Sequence, residues 1–386
     1  MSALIEGLFN GISIGSVLLI ASLGLAIVFG LMGVINLAHG ELMMLGAYTT
    51  FVVQNIFKPL GEPWFDFYII FSIPAAFVVA AIAGLILEKG VIRFLYGRPL
   101  ETLLATWGVS LILRQFVRSA NWLLIICIGV FCLFFFGGMT LLSRRPDWER
   151  IRNLVITLLL PVSAAIAVTT GFLISKFPVL TKAWFSARNV DVTAPGWLRG
   201  GVKVLDFQIP YARLFIIVLT IICLITVYWF LNRSAWGLRI RSVTQNREMS
   251  ACLGIPTAKV DALTFALGSG LAGVAGCAVS LLGSVGPNTG QNYIVDTFMV
   301  VVVGGVGNLL GSVLAAFGIG IISYLIGSGT LVFMLPSTES LTWLVDILTF
   351  FATSSMAKVM VFALIISFLQ IKPAGLFPQK GRTAEL

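Results

Sequence analysis

Charged side chains are scarce in this sequence, and its longest apolar stretches hold none. Of 386 residues, 11% are Asp, Glu, Lys or Arg, and none of these occurs from Gly7 to Leu37, from Ala262 to Val295 or from Thr297 to Thr338. A chain with so few charges cannot cover a water-facing surface. Its 58% hydrophobic content and mean hydropathy of +1.02 place it outside the soluble globular range. Carriers coupled to protons or ions usually need ionisable groups inside the membrane. The uncharged stretches therefore argue against a secondary transporter and for a path that passes a neutral solute, with driving energy delivered from elsewhere.

Other absences narrow the chemistry. No G-x-x-x-x-G-K-[ST] loop occurs, so nucleotide hydrolysis has to come from a separate subunit. Of the five cysteines, Cys127, Cys132, Cys223 and Cys277 lie in apolar runs and Cys252 in a basic loop, which gives neither metal-ligand spacing nor a disulfide framework. There is one histidine, and the apolar runs contain no paired carboxylates, so no catalytic triad or hydrolase pair can be built. No catalytic residue, metal or cofactor is expected. An isolated cation such as Arg114, near a predicted helix end, reaches headgroups more readily than it does chemistry. The net charge of +9 would suggest nucleic acid for a soluble protein, but these basic residues sit in short loops between apolar runs, where they orient a chain in a bilayer.

Apolar runs occur near 7–35, 39–57, 67–87, 102–118, 122–142, 152–175, 211–231, 259–283, 297–327 and 355–371. They predict an all-α integral membrane protein, a polytopic helical bundle of about 9–10 spans that includes a broken or re-entrant segment. The spans form a single transmembrane domain over 1–386. The first run is too long for a signal-peptide core and no Lys or Arg precedes it, so it reads as a retained span. Basic clusters at Lys89/Arg93/Arg98, Arg144/Arg145/Arg150/Arg152, Arg233/Arg239/Arg241/Arg247 and Lys372/Lys380/Arg382 mark cytoplasmic loops. All can share one side only if the 297–327 run enters and leaves the membrane on the same side, and the helix-weakening stretch Gly304-Gly305-Val306-Gly307-Asn308-Leu309-Leu310-Gly311 permits this. The N-terminus is then outside and the C-terminus cytoplasmic. The segment 176–213 is outer despite its own Lys and Arg residues. Gly268-Ser269-Gly270-Leu271-Ala272-Gly273 matches the dinucleotide pattern G-x-G-x-x-G, but inside an apolar run it reads as a small-residue face for close helix packing.

Two polar motifs interrupt the apolar pattern. In Gly33-Val34-Ile35-Asn36-Leu37-Ala38-His39-Gly40-Glu41 an amide, the lone histidine and a carboxylate fall together. Asn36, His39 and Glu41 either cap helix ends and bond to one another at a tight connection, or line the inner mouth of a solute path. The second motif runs from Arg233 to Pro256. Gln245 to Cys252 makes about two helical turns, Gly254 supplies a left-handed end, and Pro256 stops continuation. This is either a peg that fits a groove on a partner or a basic loop held at anionic headgroups. Thr106, Ser110, Asn288 and Asn308 are further amide and hydroxyl candidates for a solute path.

The segments Asn36 to Tyr48, Thr106 to Gln115, Arg233 to Pro256 and Phe298 to Asn308 together resemble the permeases of branched-chain amino acid and urea ABC importers. The wording of the peg and of Lys372 to Arg382 is most similar to the urea group. The resemblance covers roughly 1–120 and 186–386. It implies a permease subunit in a bacterial inner membrane, urea as the first-choice cargo with branched-chain amino acids as the alternative, and hydrolysis by other subunits. Implied partners are a second related permease subunit in a heterodimer, two ABC ATPase subunits, a soluble substrate-binding protein and the lipid bilayer, with no nucleic acid. It also implies that the coupling segment within 233–256, with Arg239, Arg241, Gln245, Asn246, Arg247, Glu248 and Gly254, sits in the ATPase groove. Residues 121–185 depart from the family pattern and read as an inserted two-span hairpin, whose two added crossings leave the later topology unchanged. The rival from another class is a passive polar-solute channel, which would need no ATPase.

Overall fold

The computed structural model describes residues 2–143, 148–185, 188–204, 207–330, 349–350 and 352–377. Arg144 and Arg145 of one basic cluster, and Pro378 to Arg382 with Lys380 at the C-terminal end, lie outside the described residues. Among those described, seven segments are long and apolar enough to cross a membrane: Leu4–Met32, Trp64–Phe94, Trp122–Leu142, Arg152–Ile174, Tyr211–Arg233, Thr257–Ser280 and Leu309–Gly327. The protein is a multi-pass, helical membrane protein. Shorter or more polar helices complete the bundle.

The chain divides into two compact units, 1–111 with 190–386, and 112–189. The larger unit begins with α1 (Ser2–Met32), α2 (His39–Phe57), α3 (Tyr68–Gly90) and the first part of α4 (Pro99–Ser119). In the smaller unit Asn121 accepts a hydrogen bond from the Leu124 amide at 2.7 Å and so starts α5 (Trp122–Leu142), which pairs with α6 (Trp148–Ile174) ahead of the short α7 (Pro178–Thr181). The Trp122 ring meets Trp184 edge-on at 4.9 Å, and the Trp184 amide bonds the Ala120 carbonyl. No residue of α5 is buried, so its apolar circumference suits hydrocarbon.

The larger unit resumes with a hairpin of β1 (Gly201–Val204) and β2 (Phe207–Pro210), antiparallel with Val202 opposite Ile209. It continues through α8 (Tyr211–Arg233), α9 (Ala235–Gln245), α10 (Arg247–Cys252), α11 (Thr257–Ser280), α12 (Thr289–Gly304), α13 (Leu309–Gly327) and α14 (Ser354–Ile371). The centre of this unit is α11. Its most apolar window is 83% buried, as is that of α1, against 28% for α3 and α8, so α1 and α11 carry the core. Small residues explain the burial. A Cβ on Gly268 would meet Val28 Cγ2 at 2.5 Å, and one on Gly276 would strike the Met43 carbonyl and come within 2.8 Å of the Ala47 nitrogen. Three faces of α11 thus receive α1, α2 and α3 at backbone distance, the role read for the Gly268 to Gly273 stretch.

Two ends can be told apart in this unit. At one, Asn10 bonds Tyr324 and Arg213, Val190 pairs with Val285, and the Trp197 indole donates to the Asp66 carbonyl. At the other, Thr244 donates to the Leu31 carbonyl, Gly307 abuts Gly30, and the Leu376 amide bonds the Val303 carbonyl. Lys89 in the last turn of α3, and Arg93 and Arg98 after it, lie on this second side, and the cluster from Arg233 to Arg247 and Lys372 lies there too. The break at 305–308, with positive φ at Gly305 and Gly307, turns α12 back into α13 so closely that Gly304 and Gly311 touch. It sits beside the end of α1. Irregular backbone that is largely buried occurs elsewhere, at 34–38 and 285–287.

Candidate functional site

After Met32 the chain leaves helical geometry at Gly33, whose φ of +68° suits a residue without a Cβ and whose amide closes on the Phe29 carbonyl. Residues 33–38 then run back along α1 rather than away from it. Asn36 Oδ1 accepts from the Ala38 amide at 3.0 Å, a local turn that substitutes for helix, and the Leu37 amide donates to Thr106 Oγ1 on α4 at 3.2 Å. As a result α2 starts deep. His39, its first residue, donates from Nε2 to the Ala21 carbonyl at 3.0 Å, about three turns before α1 ends. Ser110 Oγ on α4 donates to Glu41 Oε1 at 3.1 Å. His39 and Glu41 are each 1% exposed.

A second helix start meets this one. A Cβ on Gly40 would lie 2.9 Å from the Gly290 carbonyl carbon, so the first turns of α2 and α12 abut main chain to main chain well inside the length of α1. Two discontinuous helices with facing N-termini place amide dipoles and side-chain polar groups where continuous spans would offer only hydrocarbon. Asn36 Nδ2 and His39 Nδ1 are buried with no hydrogen-bond partner. With Nε2 donating, Nδ1 is an acceptor, so the two atoms offer one donor and one acceptor of opposite sense. A buried polar atom left unpaired costs about 1–3 kcal/mol, which makes it a place for a ligand or a water.

The structure therefore gathers Asn36, His39, Glu41, Thr106 and Ser110 in one buried neighbourhood. Asn36 closes a local turn, its side chain accepting from the Ala38 amide and its carbonyl from the His39 amide at 3.3 Å, while the His39 and Glu41 side chains reach α1 and α4. Asn288 precedes α12, two residues before the Gly290 contact. Asn308 is not part of the group. It caps α13, accepting from the Leu310 and Gly311 amides at 3.1 and 3.3 Å, at the end where α1 finishes.

The second motif is two helices, not one. Ser234 caps α9, and Gln245 is the last residue of α9 and no part of the short helix that follows. Asn246 caps that helix, α10, by accepting from the Met249 amide at 2.9 Å. Gly254, at φ +80°, ends it while the Ile255 amide closes on the Ser250 carbonyl. Arg239 stacks on Trp236, its guanidinium carbon 4.8 Å from the ring centroid. Arg241 donates to Asn232 Oδ1 at 3.3 Å and, with Gln245, lines a cavity of about 280 Å³ beside Ile27, Leu31 and Gly307. Arg247 is ion-paired with Asp261. Glu248 stands in the exposed first turn of α10.

Charge patterning picked out the arginines of this segment and passed over its apolar tip. Met249 and Leu253, one turn apart, are 59% and 76% exposed and form an apolar pair at the end of the peg. Their spacing was the available signal. Asp261 was also missed, although a lone carboxylate opening an apolar run is conspicuous.

Residues 7–369 match the model of the permease component of branched-chain amino acid transport systems. The high-affinity branched-chain amino acid transport system permease protein BraD of Pseudomonas aeruginosa is 24% identical over 320 residues, covering 82% of this chain and 84% of that protein. LivH of Escherichia coli K12, a permease protein of the same description, is 23% identical over the same extents. A probable LivH of Methanocaldococcus jannaschii is 24% identical over 313 residues, covering 81% and 77%. No solved structure matches.

Proposed function

Since the chain belongs to the family of branched-chain amino acid transport permeases, we propose that it is the membrane-spanning subunit of an ATP-driven importer of branched-chain amino acids. Its partners in this reading are a second related permease, two ATPases below the membrane and a soluble binding protein outside. The N-terminus is exterior and the basic end, with α9 and α10, is cytoplasmic. The observation that carries the reading is the meeting of the α2 and α12 N-termini beside buried Asn36, His39, Glu41, Thr106 and Ser110. An amino acid is a zwitterion with an apolar side chain. Helix N-termini and the Asn36 amide suit its carboxylate, and His39 Nδ1 with the Glu41 carboxylate suits its ammonium. Alternating access opens this place first to one side and then to the other.

Urea is the second reading, favoured by the wording of Arg233 to Pro256. It needs amide and hydroxyl partners but no separated charges. Vesicles holding the complete assembly separate the two: leucine should stimulate ATP hydrolysis and uptake where urea does not. Stimulation by urea alone would reverse the choice of cargo. Uptake that persists without the ATPases would replace the importer with a passive channel. Residues 121–185, in the same proposal, are an inserted two-span hairpin that faces lipid or a partner and is not needed for transport.

A further inference from the structure

Between the cytoplasmic peg and the membrane core lies a cluster that the proposed function leaves without a role. Arg247 opens α10, and its Nη2 lies 2.5 Å from Oδ2 of Asp261, a side chain 4% exposed in the first turns of α11. The same guanidinium lies over the Tyr96 ring, 5.0 Å from its centroid. The Tyr96 hydroxyl in turn donates to Glu88 Oε1 at 3.3 Å, and Glu88 is buried at the end of α3. One cation therefore joins α10, α11 and, through the tyrosine, α3.

This joint is stiff for physical reasons. A charge-assisted bond to a buried carboxylate is short and strong, and the planar guanidinium can pair and stack at once, which a lysine cannot do. The elements it joins are those that matter for a push from below. α10 has only six residues between Asn246 and Leu253 and packs little of its own apolar surface. α11, in contrast, meets α1, α2 and α3 at backbone distance, and α2 begins with the buried polar group. Displacing α10 with the pair intact must carry the start of α11 with it.

We infer that the Arg247–Asp261 pair, backed by Tyr96 and Glu88, is the transmission joint that carries movement of the peg into α11 and α3, so that its loss uncouples ATP hydrolysis from solute movement. Arg247 is thus a positioning residue that acts within its own chain. The inference rests on the importer reading. Its test uses the complete assembly in vesicles, measuring leucine moved and ATP hydrolysed in the same sample. Asp261→Asn should leave assembly and hydrolysis in place and lower leucine moved per ATP by about tenfold. Exchanging the charges, Arg247→Asp with Asp261→Arg, should recover part of that ratio, which a merely structural role would not produce. Arg247→Gln alters a half-exposed side chain and serves if Asp261→Asn fails to assemble. An unchanged ratio in whichever single variant assembles overturns the inference. Absence of ATP-dependent uptake by the unaltered assembly would instead overturn the importer reading itself.

Discussion

Gly276→Ala tests the packing on which the site depends. The added methyl would strike the Met43 carbonyl and lie 2.8 Å from the Ala47 nitrogen, and both are backbone atoms of α2 that no rotamer change can withdraw. Restoring an ordinary contact of about 3.5 Å requires α2 and α11 to part by roughly 0.7 Å or more. Overpacking of this kind costs about 1–3 kcal/mol, and replacing a helical glycine by alanine returns up to about 1 kcal/mol, so a net loss of roughly 1–2 kcal/mol is expected. Because α2 carries His39 and Glu41, the same displacement lengthens the bonds to the Ala21 carbonyl and to Ser110. The assay is thermal unfolding in detergent followed by size-exclusion chromatography, with leucine uptake measured alongside. Gly318→Ala is the control, since nothing lies within 4 Å of a Cβ there and only the helix-propensity gain remains. If Gly276→Ala melts at or above the temperature of Gly318→Ala and transports normally, the reasoning from close backbone contact is wrong.

Ser110→Ala removes the donor to Glu41 Oε1 and should reduce stability by about 1–3 kcal/mol, with a fall in uptake; unchanged melting and uptake would show that the bond is idle. Met249→Ala with Leu253→Ala alters only exposed side chains, so the permease should keep its melting temperature while the ATPases are lost from pull-down. Cys252 is exposed and should react with an impermeant maleimide in inside-out but not right-side-out vesicles, the reverse result inverting the topology. Deleting 121–185 should leave uptake in place, and loss of uptake with normal assembly would put that hairpin in the transport core.

Elements governed by local chemistry are legible in the sequence itself. The break around Gly304 to Gly311, the left-handed stop at Gly254 and the start of a helix at His39 follow from glycine, proline and the limits of apolar runs. The 281–288 segment and the start of α12 at Thr289 were less visible, because Gly286 and Pro287 end a run whose polar neighbours look like ordinary loop. Depth was not legible. Nothing local in Val34 or Ile35 says that 33–38 turns back beside α1. That path is held by Thr106, about seventy residues away in sequence, and by the carbonyl of Ala21. The pairing of Arg247 with Asp261 was hidden for the same reason, since a basic residue in a polar loop carries no mark of its partner.

The abutment of Gly40 and Gly290 has a mechanical corollary. Ordinary helix contacts interlock, side chains of one seated between those of the other, and they resist sliding because every ridge must climb out of its groove. Where two glycines touch there is no tooth on either surface, so a few degrees of swivel lift nothing and strip no contact. The same toothless contact recurs on α11, where Gly268 meets Gly24 and Gly273 meets Gly46, so the helices around the polar groups bear on smooth surfaces and small relative movements there cost little.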